Sequence, residues 1–241
     1  MHMRKAGAMA LLTALYCAPV HAQPTAAGLQ WQPLAQVQIA RTETTVAQFR
    51  RFVLATGRVT EAERRGGGQG YAGGWVQRLD WTWQAPFGQP ATDDEPAVHL
   101  TWFEARDFCR WARARLPTDA EWLSAAYTEQ RDTPAPPFQL GQTYPYPTGL
   151  GPQGAQCRSD CGADVQRHRP VSQGAPGVNG LHDMGGNAWE WVDQGTDDDR
   201  RTRGGSWWYG APQMRADHLQ GKPAATAVVY IGFRCARDYV R

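Results

Sequence analysis

The chain has 241 residues, with 25 lysines and arginines against 23 aspartates and glutamates. That length is enough for one domain with a proper core, and the near balance of charge argues against a nucleic-acid binder, which needs a basic face. With 26 glycines, 17 prolines and 11 tryptophans, the backbone must break often while burying large side chains, so an α+β, loop-rich fold with few long helices is expected.

Residues 1–22 read as a secretory leader: Arg4 and Lys5 open it, Ala6 to Pro19 is mostly apolar, and Val20-His21-Ala22 is a small-residue cleavage site. The apolar part is too short to span a bilayer, and no later stretch has that character. Without Arg4 and Lys5 the mature chain is neutral. A lead-in over 23–34 and one domain over 35–241 follow. The mature part keeps Cys109, Cys157, Cys161 and Cys235, an even number that in an exported chain points to two disulfides in any of three pairings. A zinc site from Cys157, Cys161 and His168 is the rival, one ligand short of the usual four.

In chain order, residues 30–41 alternate loosely as a strand with Val37 and Ile39 inward. Thr45-Val46-Ala47-Gln48 is a capping box that starts a helix with Val46, Phe49 and Val53 on one face, ended by Gly57. The glycine-rich run Glu61 to Gly74 reads as a surface loop, and Trp75, Trp81 and Trp83 as anchors of a coil. Thr101 to Glu104 is a second capping box, whose helix buries Ala105, Phe108, Cys109 and Ala112. Thr118 to Glu121 is a third, whose short helix carries Trp122 and Ala125, with Arg113 and Arg115 placed to pair with Asp119 or Glu121. Residues 132–180 read as coil. Asp197 to Arg201 reads as a solvated loop tip, and Ala227 to Ile231 and Phe233 to Ala236 as short strands.

The densest stretch is Gly180 to Trp191, with three glycines, two acids, an asparagine and two tryptophans. Glycines let carbonyls point inward, so Asp183 and Glu190 with such carbonyls form a candidate site for one hard cation such as calcium. The alternative is a glycine turn with two solvated acids and two core tryptophans.

This stretch resembles the G-L-x-D-M-x-G-N-x-W-E-W core of the formylglycine-generating enzyme (sulfatase-modifying factor) family. Thr42 to Val46 with Phe49, Arg115 to Trp122, Arg203 to Trp207 and Gly232 to Ala236 match further family motifs in order, over roughly 35–238. The resemblance implies an irregular C-type-lectin-like fold of small sheets and two main helices. It also implies a disulfide between Cys109 and Cys235, which leaves Cys157 with Cys161. For calcium it implies the ligands Asp183, Gly186, Ala188 and Glu190.

The family's enzymes are oxidases that hold Cu(I) between two cysteines and turn a sulfatase cysteine into formylglycine. Those two positions fall on Tyr209 and Met214, so a dithiolate copper site cannot form. Neither copper nor iron is expected, and no catalytic residue is carried over. The family's substrate groove maps near Trp189, Ser206, Trp207, Trp208, Tyr209, Arg215 and His218, where aromatics with a few polar groups could hold a protein, a peptide or a small ligand. Two functions follow as expectations. One is a periplasmic or secreted, calcium-stabilised binding module, an accessory to an envelope or type VI secretion process. The other is a periplasmic oxidase of divergent chemistry, as in pyoverdine-type siderophore maturation. Formylglycine generation ranks last.

Overall fold

The computed structural model describes residues 27–162 and 165–239; the leader lies outside them. Four helices open at threonines: α1 (Val46–Thr56), α2 (Glu61–Arg64), α3 (Trp102–Trp111) and α4 (Asp119–Tyr127). Each is started by a reciprocal capping box, Thr45/Gln48, Thr60/Glu63, Thr101/Glu104 and Thr118/Glu121. The threonine hydroxyl takes the third amide, and the Glu or Gln side chain returns to the threonine amide, so two orphan donors are satisfied at each end. Gly57 closes α1 at φ +68°, a conformation that favours glycine.

The strands are short and form three sheets. β1 (Trp31–Pro33), β2 (Gln38–Ala40) and β9 (Ala236–Arg237) make the first, in the order β1-β2-β9. The segment expected as one strand is therefore a hairpin, although Val37 and Ile39 do face inward. β3 (Gln69–Tyr71) and β4 (Trp75–Gln77) form a separate two-stranded hairpin. β5 (Trp189–Thr196), β6 (Asp199–Arg203), β7 (Gln220–Lys222) and β8 (Ile231–Gly232) make the third sheet, in the order β7-β6-β5-β8. Within it, β5 and β8 run parallel.

Two apolar regions meet around these sheets. In the larger, Phe49 and Phe52 of α1 contact Phe108 of α3 at ring distances of 5.9 and 5.8 Å, Trp83 meets Phe49 edge-on, and Phe233 closes on Phe108. Each buried phenylalanine contributes about 1.5–3 kcal/mol relative to exposure. Phe52, rather than Val53, completes the buried face of α1. In the smaller region Trp122 and Ala125 of α4 lie with Ile39, Leu181, Met184 and Val192. Cys109 on α3 is bonded to Cys235 beside β9, and Cys157 to Cys161. The second bond removes the zinc alternative, and His168 instead pairs with Glu95 at 2.8 Å.

Three local expectations are corrected. Glu61 to Gly74 is α2 plus the start of a hairpin, because Thr60-Glu61-Ala62-Glu63 is a fourth capping box and Gly73 supplies φ +71° in the turn. Asp199 to Arg201 lies in β6, and only Asp197 and Asp198 form the tip. Arg113 has no partner role at α4: it turns the chain at φ +57°. Arg115 instead grips Glu121 with two 2.7 Å bonds.

Buried histidines give the fold a pH dependence. Burial lowers His99 from 6.5 to about 4 and also lowers His168. Burial alone would raise Glu95, but the His168 ring, the Thr92 amide and Arg167 outweigh it and hold Glu95 at about 2. Below pH 6.5 the unfolded histidines take protons that the folded ones refuse. Stability therefore falls between pH 6.5 and 4, by about 3 kcal/mol for His99 alone. Below 4.5 protonation of unfolded Glu95 removes more. Urea midpoints at pH 7.5 and 4.5 should show this drop, and His99→Gln should flatten its upper part.

Candidate functional site

The Gly180–Trp191 stretch is tied into the molecule by buried charge. Gly186 sits at φ +82° with its α-carbon against the Gln156 carbonyl, where a Cβ would lie 2.5 Å from the oxygen. That approach lets the Asn187 amide bond Gln156 and the Gly186 amide bond Gly204. Glu43, fully buried just before α1, accepts the Ala188 amide at 2.9 Å and the Asn187 side chain at 2.7 Å. Burial, then the charges of Asp183 and Glu190, push the Glu43 carboxyl well above the usual range.

Glu190 is gripped from both sides. Arg234 Nε and Nη2 donate to its two oxygens at 2.7 and 2.6 Å, and Trp122 Nε1 donates at 2.7 Å. The remaining Arg234 bonds go to the Ala40 and His182 carbonyls. Burial disfavours the charged Arg234 guanidinium, but Glu190 more than offsets this and its proton is held more tightly than usual. Asp183 accepts from Arg169 Nη2 at 3.2 Å and from the Ser172 amide at 2.9 Å.

This donor set does not fit calcium on Asp183, Gly186, Ala188 and Glu190. Every carboxylate oxygen of Asp183 and Glu190 faces an N–H donor, whereas a hard cation needs oxygens turned toward one point. Among the described residues, no group of three or more His, Cys, Asp or Glu could hold a metal ion. The two acids are not solvated either: arginines neutralise them. Treatment with chelator should leave the melting temperature unchanged, and a fall that calcium reverses would put the ion back in this loop.

The groove residues separate into two sets. Trp189 and Ser206 are fully buried and Trp207 is 5% exposed, so they present almost no surface to a ligand. Met214 is fully buried beside Cys157, Cys161 and Ala211. Tyr209 is half-buried, edge-on to Trp189 at 5.6 Å and to Tyr230 at 5.5 Å. His218 lies over Trp189 at 5.7 Å, and burial lowers its pKa. Arg215 is exposed and pairs with Asp217. Trp208 alone of the tryptophans in this set reaches the surface.

What the groove reading missed is the β3–β4 hairpin. Tyr71 and Trp75, each about half exposed, meet edge-on at 5.6 Å. Tyr71 continues to Trp208 at 6.2 Å, and Trp75 to Tyr230 at 5.9 Å. Arg158 lies 5.5 Å from the Trp208 ring centre and Lys222 5.6 Å from that of Trp75. The result is an aromatic surface over the Tyr209 position with two cations at its rim. The signal was available as Tyr71-Ala72-Gly73-Gly74-Trp75, two aromatics flanking a glycine turn.

Comparison with known proteins agrees with this architecture. The model of the sulfatase-modifying factor enzyme 1-like domain matches residues 21–239. The formylglycine-generating enzyme of Bos taurus is 27% identical over 251 residues, covering 82% of this chain and 64% of that protein. The inactive C-alpha-formylglycine-generating enzyme 2 of Bos taurus is 31% identical over 180 residues, covering 67% of this chain and 57% of that protein. This chain thus spans about three-fifths of the length of both relatives. Among solved structures, PvdO from Pseudomonas aeruginosa superposes with a TM-score of 0.60 at 18% identity, over 84% of this chain and 80% of that one. With the motifs of Gly180–Trp191, Arg203–Trp207 and Gly232–Ala236 joined in one buried network, and the domain match running nearly end to end, this chain belongs to the sulfatase-modifying factor enzyme 1-like family.

Proposed function

We propose that this chain is an exported, non-catalytic binding member of its family, whose aromatic surface around Trp208 and Tyr209 holds a partner. One observation carries the reading: Cys109, Cys157, Cys161 and Cys235, all the cysteines of the described residues, are closed in two disulfides. Tyr209 and Met214 stand where the family's copper thiolates are expected, and Met214 is sealed in the core. A buried thioether has no route to a substrate, and soft-metal chemistry at this place loses both of its thiolates. The leader-like first 22 residues and the two disulfides support residence in an oxidising compartment outside the cytoplasm. A regulatory or accessory role in an envelope process is consistent with such a module. In this reading Arg169 and Arg234 take the stabilising place that calcium was expected to fill.

The test is to reduce the metal and not the protein. Mature protein is titrated with Cu(I) against a competing chelator, and oxygen uptake is followed with a cysteine peptide and with a phenol. Copper should stay with the chelator and oxygen should not be consumed. One bound copper per chain with thiol-dependent oxygen uptake would replace the binding reading by an oxidase of the family's own copper type, and oxygen uptake on a phenol would replace it by the divergent oxidase.

A further inference from the structure

We propose that the outer edge of β4 receives an extended, acidic peptide segment of a partner as an added strand. This rests on the binding-module reading and names the partner's chemistry. The hydrogen-bond pattern of the hairpin is fixed by its two ends. Ala72 donates to Gly74, and Arg78 donates to Gly68. Bonded and non-bonded pairs alternate along an antiparallel ladder, so Gly70 and Val76 form the bonded pair between them. In the register Gln69↔Gln77, Gly70↔Val76, Tyr71↔Trp75, the amides and carbonyls of Trp75 and Gln77 then point away from β3. β3 has a neighbour on its other side, where Gln69 exchanges backbone bonds with Ala227 and Val229. β4 pairs with β3 alone, and among the described residues the outward amides and carbonyls of Trp75 and Gln77 have no hydrogen-bond partner. All three β4 residues are exposed. An uncovered edge of this kind is a template for another strand.

The side chains around the edge select the occupant. An added strand alternates its side chains as β4 does, so every second one comes onto the face that carries Trp75, Tyr71 and Trp208. That face suits an aromatic or β-branched residue. Lys222 and Arg158 flank it, and neither has a carboxylate within ion-pair distance among the described residues. The neighbouring acids are otherwise engaged: Asp199, whose carboxylate lies against Gly221, pairs with Arg201 at 3.0 Å, Asp217 pairs with Arg215 at 3.4 Å, and Asp160 bonds Ser159 at 3.2 Å. Acidic residues either side of the central one would meet these two cations. A second copy of this chain is a poor occupant, because pairing β4 with β4 would bring two Lys222 and two Arg158 to one seam, a like-charge arrangement that interfaces avoid.

The full mature protein is titrated calorimetrically with two capped pentapeptides, Glu-Val-Tyr-Val-Glu and Lys-Val-Tyr-Val-Lys. The acidic peptide should bind about tenfold or more tightly than the basic one, and Lys222→Glu should abolish that preference. Gln77→Pro removes an outward amide while leaving the bonded pairs at 76 and 78 in place. Beyond the exposed Gln77 Nε2–Arg65 carbonyl bond it should cost little stability, with Gln77→Ala as the control for that bond, and the Pro variant should bind the acidic peptide about tenfold more weakly than Gln77→Ala does. Equal binding of the two peptides, indifference to Gln77→Pro, or no binding of either peptide would overturn this inference. Dimerisation in sedimentation that Gln77→Pro abolishes would also overturn it, by making a second copy the occupant. None of these outcomes touches the copper result, which decides the binding-module reading separately.

Discussion

Replacing Cys109 and Cys235 by alanine lowers stability by about 5 kcal/mol. The bond spans 126 residues, and the loop-entropy relation assigns a closure of that size about 5 kcal/mol. Both sulfurs are fully buried, so the variant also loses packing between α3 and the Gly232–Ala236 segment. For a domain of this size each kcal/mol shifts the melting temperature by about 2–4 °C, which predicts a fall of about 10–20 °C in a calorimetric scan. The comparison is the Cys157–Cys161 bond, whose separation is 4 residues. The same relation gives that bond about 2 kcal/mol. If the two double variants melted together, loop closure would not be the source of the effect.

Arg234→Ala is expected to cost about 3–5 kcal/mol, because it leaves the buried Glu190 charge without its counterion. The guanidinium also satisfies the Ala40 and His182 carbonyls, so β2 and the Gly180–Trp191 stretch loosen together. Much of the penalty is the stranded carboxylate. Glu190→Gln placed on top of Arg234→Met should therefore recover part of the loss, since replacing both members of a buried pair is often near neutral. Urea midpoints of the single and double variants form a cycle. Strictly additive losses would mean that the two side chains do not act as a pair, against the double 2.6–2.7 Å contact between them.

The buried frame was legible where one local rule decides. Three of the four capping boxes, the apolar stripe of α3 and the inward Val37 and Ile39 follow from spacing alone, and the motif series carried the family and both disulfides. Two kinds of feature were not legible. Asp183 and Glu190 read as ligands because their partners, Arg169 and Arg234, lie 14 and 44 residues away, and no local pattern reports a counterion brought in by the fold. Trp189 and Trp207 read as groove because aromatic composition does not distinguish a core ring from a surface one. The exposed pair Tyr71 and Trp75 was hidden for the opposite reason: six clustered glycines around it look like loop, although Gly73 is what lets the hairpin turn.

The pairing of β2 with β9 has a consequence for how the chain reaches its final form. Gln38 and Arg237 lie 199 residues apart and bond side by side. β9 is made 199 residues after Gln38, so the third strand of the first sheet cannot dock on the β1–β2 hairpin until that later segment has been synthesised. Contacts so distant in sequence form slowly, so closure of this sheet is expected among the last steps of folding, after the local capped helices are in place.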